Sequence, residues 1–193
     1  GKNTIHRVLN ASEVGGIEQI VKEATGRYLN HLQYRSDGRV KTTTPHSFKQ
    51  YFFKLARELG VDPKGIIYAN LFAWDYNKTT PVGRPKCEMD EIISISNQLL
   101  ATQIRQLKPD FIIFATGYKG IDPIIRSLFN DHFDGYENTS VIPEKLWEFN
   151  AGGSTCFRIA HPRATWGHGE FREEVISRIK RYLGEPQPLE SQT

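Results

Sequence analysis

The amino-acid sequence predicts an α/β fold of three layers, α/β/α, with a short central and mostly parallel sheet. Two continuous apolar runs, residues 66–72 and Phe111–Ala115, are typical of strands that are buried on both faces. Segments whose apolar residues recur at helical spacing alternate with these runs along the chain. Because a strand buried on both faces needs helices above and below it, this alternation indicates a parallel sheet covered on both sides.

Length and composition are those of one globular domain. The chain has 193 residues, of which 38% are hydrophobic and 24% are charged. A chain of this size can bury a core without disulfides or metals. We therefore expect a single domain over residues 1–184, followed by a disordered tail over residues 185–193, which contains Pro and Gln.

Several features of the composition narrow the classes of function. No apolar run approaches the ~20 residues that span a bilayer, and the first residues lack a signal-peptide pattern, so a cytoplasmic location is expected. The two cysteines, Cys87 and Cys156, make neither a metal cluster nor a disulfide framework, and no metal or cofactor is expected. The formal net charge of +3 permits a polyanionic partner without requiring one.

The amino-terminal third is predicted to contain two helices. Residues 1–16 give no clear pattern, whereas apolar residues fall on one helical face from Ile17 to about Gln33. Residues 34–43 are polar and are predicted to form a loop. Thr44 followed by Pro45 then predicts the start of a second helix, which stops at Gly60.

The run 66–72 carries the first candidate functional side chain. It is predicted to be a buried strand that is interrupted by one amide, Asn70. A buried amide costs free energy unless it is hydrogen-bonded, so Asn70 either fixes a neighbouring loop or faces a ligand at the strand end. The polar connection over residues 74–86 is long enough to be a binding loop.

The rest of the chain continues the alternation of helices and strands. Pro109 ends a long helix, Asp122 and Pro123 begin the next one, and Gly152 and Gly153 lie in a turn between two short strands. The predicted elements are a helix over 89–107, a strand at Phe111–Ala115, a helix from Asp122, strands at 146–149 and 155–160, and a helix over 171–183.

The second candidate functional residue is His161. Phe157 and Ile159 predict a short buried strand, and Pro162 ends it because proline has no N–H for the next rung of a sheet. His161 therefore lies where a strand gives way to a loop that contains Gly, Arg and Trp. In an open α/β sheet, ligands bind at the carboxyl ends of strands, although a His-Pro pair can also be a plain stop signal.

Three segments, in their order and spacing, resemble the uracil-DNA glycosylase superfamily. They are residues 66–72 (IIYANLF), 107–117 (LKPDFIIFATG) and 157–162 (FRIAHP). The resemblance covers most of the chain, from about residue 17 to residue 183, and is nearest to small bacterial members of diverse substrate. It implies a uracil-DNA glycosylase-like fold in which Asn70 presents its amide to the target base, with Phe72 as a candidate stacking partner. It also implies that His161 donates a hydrogen bond to the departing base.

Two positions depart from the family's pattern. Members commonly have Ser after the His-Pro pair and an apolar wedge soon afterwards, whereas this chain has Arg163, with Trp166 as the nearest bulky side chain. The family's Gly-rich motif near the amino end positions the attacking water through an Asp, Asn or Glu. Here Asn3, Asn10 and Glu13 are the candidates, and the sequence does not decide among them.

The chemistry of base removal explains why these residue types suit the reaction. Cleavage of the N-glycosidic bond pushes negative charge onto the departing base, and a donor such as His161 that meets such charge is typically worth about 10²–10³ in rate. Asn70 offers a donor and an acceptor side by side, which suits O4 and N3–H of a uracil-like ring. Asn3 or Asn10 would orient water rather than deprotonate it.

We therefore expect a monofunctional DNA N-glycosylase that hydrolyses the bond to a flipped-out uracil or modified pyrimidine. It would act on DNA as a monomer, in base excision repair or in defence against phage. Arg163, Trp166 and His168 are expected to contact DNA. The alternative is a non-catalytic nucleic-acid-binding module that keeps the glycosylase-like fold.

Basic residues are concentrated around the His161 loop and the closing helix. They could form a surface that contacts phosphates, or an ordinary solvated helix face that is balanced by neighbouring glutamates. These residues are Arg158, Arg163, His168, Arg172, Arg178, Lys180 and Arg181.

Overall fold

The computed structural model describes residues 12, 15–16, 19, 22–23, 30, 32–73, 81–82, 84–164 and 166–184. The chain divides into two compact units. The first, here called the helical unit, comprises residues 1–41 and 68–106. The second, here called the sheet unit, comprises residues 42–67 and 107–193. The predicted helix over residues 17–33 lies largely outside the described residues, and the predicted tail over 185–193 lies wholly outside them.

The described helices and strands alternate only in the middle of the chain, and the last three strands follow one another without a helix between them. In chain order they are α1 (Ser47–Glu58), a short 3-10 helix (Pro63–Gly65), α2 (Lys86–Leu107), β1 (Phe111–Ala115), α3 (Asp122–His132), β2 (Glu137–Ile142), β3 (Leu146–Ala151), β4 (Ser154–Ile159) and α4 (Gly169–Tyr182). None of the helices within the described ranges is both long and apolar enough to cross a membrane.

Helix α2 is the main element of the helical unit. It begins three residues before the predicted start, where Arg84 forms a hydrogen bond of 2.7 Å from its Nε to Glu88 and so links the preceding turn to the first helical turn. The Ser96 hydroxyl is buried on this helix and accepts a hydrogen bond of 3.0 Å from the backbone N–H of Ala73. The predicted long helix is confirmed.

The sheet unit contains a four-stranded sheet with the strand order β1-β4-β3-β2. Strands β1 and β4 are parallel, with Phe111 opposite Thr155 and Ala115 opposite Ile159. The β4–β3 and β3–β2 pairs are antiparallel. The expectation of a mostly parallel sheet is therefore corrected. Short turns join β2 to β3 and β3 to β4, and such turns can connect only antiparallel neighbours.

Helices cover both faces of this sheet. On one face, apolar side chains of β3 and β4 pack against α1 and α4, in a buried cluster of Tyr51, Leu55, Leu146, Phe157, Ile159, Val175, Ile176 and Ile179. On the other face, Phe129 of α3 contacts Phe114 of β1 and Phe149 of β3, with ring centroids 6.2 and 5.5 Å away. The prediction of a mixed α/β fold is confirmed.

The predicted strand over residues 66–72 is wrong. Residues 66–70 are irregular, residues 71–73 form a bend, and the side chains of Ile67 and Asn70 are exposed. Ile66 packs against the core of the sheet unit, whereas the chain passes into the helical unit at Tyr68. An apolar run becomes a buried strand only where a neighbouring strand takes up its backbone hydrogen bonds, and none of the described strands pairs with this run.

Candidate functional site at the end of strand β4

The sheet positions His161 at the carboxyl end of β4. The strand ends at Ile159, whose carbonyl accepts a hydrogen bond of 3.0 Å from Gly117, just beyond the end of β1. The backbone N–H of Ala164 donates to the His161 carbonyl at 2.8 Å and closes a tight turn, with Pro162 at its second position. His161 is exposed while Pro162 is buried. The predicted position of His161, at the junction of a strand and a loop, is confirmed.

The hydrogen bonding of the His161 ring fixes its tautomer. Nδ1 accepts a hydrogen bond of 3.1 Å from the backbone N–H of Arg163, so the proton of the neutral ring is on Nε2. Partial burial of the ring, followed by the nearby Arg163 cation, lowers the pKa of His161 below its ordinary value. The ring is therefore held neutral near pH 7 and retains one N–H donor at Nε2.

Two cations hold the loop that follows His161, here called the His161 loop (residues 161–168). Nη1 of Arg172, on helix α4, donates to the carbonyl of Ala164 at 3.1 Å and to that of Pro162 at 3.5 Å. Nζ of Lys145, in the β2–β3 turn, donates to the carbonyl of Gly167 at 3.0 Å. Trp166 lies between these attachments and is 91% exposed. The loop thus presents a large aromatic side chain to solvent from a backbone that is held on both sides.

The basic residues that the sequence grouped together fall into two classes. Arg158, Arg178 and Arg181, here called the paired cations, form ion pairs with carboxylates. Arg158 is buried and its Nε lies 2.8 Å from Asp122, at the start of α3. Lys180 also has a carboxylate, Glu58, at 3.9 Å. Of the two interpretations that the sequence left open, charge balanced by neighbouring carboxylates is the one that fits these four residues.

The second class surrounds the His161 loop. Lys145, Arg163 and Arg172, here called the loop cations, have no ion pair with a carboxylate of any described residue. The contacts of Lys145 and Arg172 are to neutral backbone carbonyls and not to carboxylates. Positive charge at a strand end attracts anionic ligands.

His168 occupies a more sheltered position than predicted. It immediately precedes α4 and is half-buried, without a side-chain capping bond to the helix. Its Nδ1 is buried and has no hydrogen-bond partner among the described residues. His168 therefore belongs to the base of the His161 loop, while Arg163 and Trp166 form its exposed part.

Sequence reasoning missed the contribution of the β2–β3 turn. This turn supplies Lys145, and its Glu144 adopts a φ of 62°, which is rare for a residue other than glycine. The charge of Glu144, together with a side-chain hydrogen bond, raises the pKa of Tyr118, which follows β1 at the same end of the sheet. The available signal was Pro143, which favours the second position of a turn. Strand β2 is polar, so the sequence did not indicate the hairpin that it forms with β3.

The other predicted site residues that the structure describes, Asn70 and Phe72, belong to a different unit from His161. Asn70 and Phe72 belong to the helical unit, where Asn70 is exposed and Phe72 is half-buried. Asn70 is therefore not a buried amide at a strand end, and an exposed amide needs no protein partner. Asn3, Asn10 and Glu13 lie outside the described residues.

The described part of the chain holds no metal centre near His161. Within it, no group of three or more His, Cys, Asp or Glu side chains could hold a metal ion. Two open cavities of about 430 and 480 Å³ adjoin Tyr182, and neither is lined by residues of the His161 loop. The first cavity includes Asp110 and Ser154, at the opposite end of the parallel pair.

Comparison with known proteins gives no family assignment: no family model, no curated protein and no solved structure matches this chain.

Proposed function

We propose that this chain is a DNA N-glycosylase of the uracil-DNA glycosylase type, which hydrolyses the bond between deoxyribose and a flipped-out uracil or modified pyrimidine. The observation that carries the proposal is the neutral His161 ring, with its proton on Nε2, at the end of β4. A sheet that is flanked by helices and ends in a His-Pro pair is compatible with a three-layer glycosylase-like fold, in which β2 and β3 would be an antiparallel addition.

The proposed role of His161 follows from its hydrogen bonding. As the glycosidic bond breaks, negative charge develops on the base, and the Nε2–H of a neutral imidazole can donate to the pyrimidine O2 that carries it. The Nδ1 contact with Arg163 keeps the ring in the tautomer that this role requires. Because the ring is already neutral near pH 7, the donor is in place before the reaction begins.

The proposed DNA contacts come from the exposed part of the loop. A flipped nucleotide leaves a gap in the stack, and Trp166 is large and exposed enough to fill it. Arg163, whose side chain is exposed in this loop, would contact a neighbouring phosphate. The roles of Asn70 and Phe72 toward the base, and of Asn3, Asn10 or Glu13 toward water, rest on the sequence resemblance alone. The reaction needs no metal or cofactor.

A panel of DNA substrates tests the proposal and identifies the base. The substrates are single- and double-stranded DNAs that carry uracil, oxidised pyrimidines or glucosylated hydroxymethylcytosine, and the free base is measured after incubation. We expect release of one base by the wild-type chain and by His46→Ala, a control at an exposed histidine before α1, but not by His161→Ala.

A second candidate function is nucleic-acid binding without catalysis. The exposed Trp166 and the loop cations favour it, because stacking and phosphate contacts need no reaction. Salt-sensitive DNA binding without release of any base from the panel would reject the glycosylase and support this module. Release that persists in His161→Ala would reject the proposed role of His161.

A further inference from the structure

The contact between Lys145 and Gly167 joins two distant parts of the chain. Lys145 lies in the β2–β3 turn, 22 residues before Gly167, and its Nζ is 3.0 Å from the Gly167 carbonyl oxygen. Gly167 has a φ of 61°, in the left-handed region, and a Cβ added there would lie 3.1 Å from the Lys145 Nζ. The left-handed backbone that offers its carbonyl to this ammonium therefore favours glycine at position 167.

A second contact holds Lys145 at this place. Its Nζ lies 6.0 Å from the centroid of the Phe171 ring, in the first turn of α4. An ammonium at this distance from an aromatic face is attracted to it. Lys145 is thus fixed between α4 and the backbone next to Trp166, in contrast to an ordinary surface lysine.

The position of Lys145 also complements that of Arg172. Arg172 holds the carbonyls of Pro162 and Ala164, before Trp166, and Lys145 holds the carbonyl of Gly167, after it. A hydrogen bond from a charged donor is stronger than one between neutral groups. The two cations therefore restrict the backbone on both sides of a side chain that makes little contact of its own with the protein.

We propose that Lys145 is a positioning residue, which holds the backbone beside Trp166 in one conformation and so sets the place from which Trp166 meets a nucleic acid before binding takes place. The consequence for catalysis rests on the function proposed above, whereas the ordering of Trp166 does not. A preformed wedge lowers the conformational entropy that binding would otherwise cost. Lys145 would act through Trp166 and would not touch the base.

The ordering of Trp166 can be measured without any substrate. The full chain is labelled with 5-fluorotryptophan, and Trp166→Phe identifies the fluorine resonance of Trp166 among those of the three tryptophans. We expect Lys145→Met to shift and narrow this resonance, because the side chain gains mobility, and Lys145→Arg to preserve it. Lys119→Met is the matched control, since Lys119 is an exposed lysine in the loop after β1. Equal spectra for Lys145→Met and Lys119→Met would overturn the proposal.

Activity and binding provide a second measurement on the same variants. If Lys145 positions Trp166, Lys145→Met should lower single-turnover base release by about tenfold or more, as misplacement of a positioning group does, and Lys145→Arg should restore it. If Lys145 were instead a phosphate contact, Lys145→Met would lower the slope of log K for DNA binding against log salt by about one. It would also leave the fluorine resonance unchanged. This pair of results would contradict the positioning role. If no base is released from any DNA, the fluorine spectrum alone decides the role of Lys145.

Discussion

The paired cations and the loop cations differ in their partners although all are basic side chains of the sheet unit. Arg158 and Arg178 are largely buried and lie against carboxylates from other elements. Lys145 and Arg172 instead donate to backbone carbonyls of the His161 loop. The comparison teaches that the location of the acidic residues, rather than the density of basic ones, decides which cations stabilise the fold and which remain available to an anionic ligand.

Removal of the carboxylate that pairs with Arg158 should have the largest effect on stability. Asp122→Ala leaves a buried guanidinium without its counter-charge, which typically costs about 3–5 kcal/mol. Arg163→Ala should change the free energy of unfolding by less than about 0.5 kcal/mol, since Arg163 is exposed. Urea denaturation measures both values.

A double variant separates lost pairing from lost packing. Asp122→Ala combined with Arg158→Met removes the unpaired charge as well, so it should recover much of the stability that Asp122→Ala loses. An equal loss of stability in the single and double variants would show that the ion pair with Asp122 does not determine the contribution of Arg158. The division into paired cations and loop cations would then lose its basis.

Salt dependence of DNA binding should distinguish the two classes next. Each phosphate contact that is removed lowers the slope of log K against log salt by about one. We expect this decrease for Arg163→Ala and no change for Arg181→Ala, whose guanidinium pairs with Glu174. Fluorescence anisotropy titrations at several salt concentrations measure the slopes. An equal decrease in both variants would contradict the comparison.

The pH dependence of base release should give a smaller but more specific effect. The pKa of His161 is lowered from its ordinary value of 6.5, first by partial burial and then by the Arg163 cation. Activity that needs the neutral ring is present above this lowered pKa and is lost as the pH falls through it. Arg163→Ala removes one cause, so the acid limb should move to higher pH. An acid limb above pH 6.5 in the wild type would contradict this prediction. So would an acid limb at the same pH in Arg163→Ala as in the wild type.

The sequence predicted strands β1 and β4 correctly but not the run over residues 66–72, for a physical reason. Strands β1 and β4 pair with each other and are covered by helices, so their apolar runs are satisfied as the pattern implied. The run over 66–72 has a similar composition but no described strand beside it. Composition records how apolar a segment is, whereas strand formation also requires a partner for the backbone.

The candidate site was predicted in part. The residues His161, Arg163 and Trp166 lie close together in the sequence. A strand end followed by proline is a local signal, so the sequence could indicate all three together. Lys145 could not, because its role depends on a hairpin that brings it to Gly167 across 22 residues. The division of the cations likewise depends on carboxylates from other elements, such as Asp122 for Arg158.

The rate of the chemical step with and without His161 tests the central claim most directly. Single-turnover release of the base is measured at saturating protein for the wild type, His161→Ala and the control His46→Ala, together with the affinity of each for the same DNA. The proposed function predicts a loss of about 10²–10³ in rate for His161→Ala, with unchanged affinity and a normal control. A rate for His161→Ala equal to that of the wild type would contradict it.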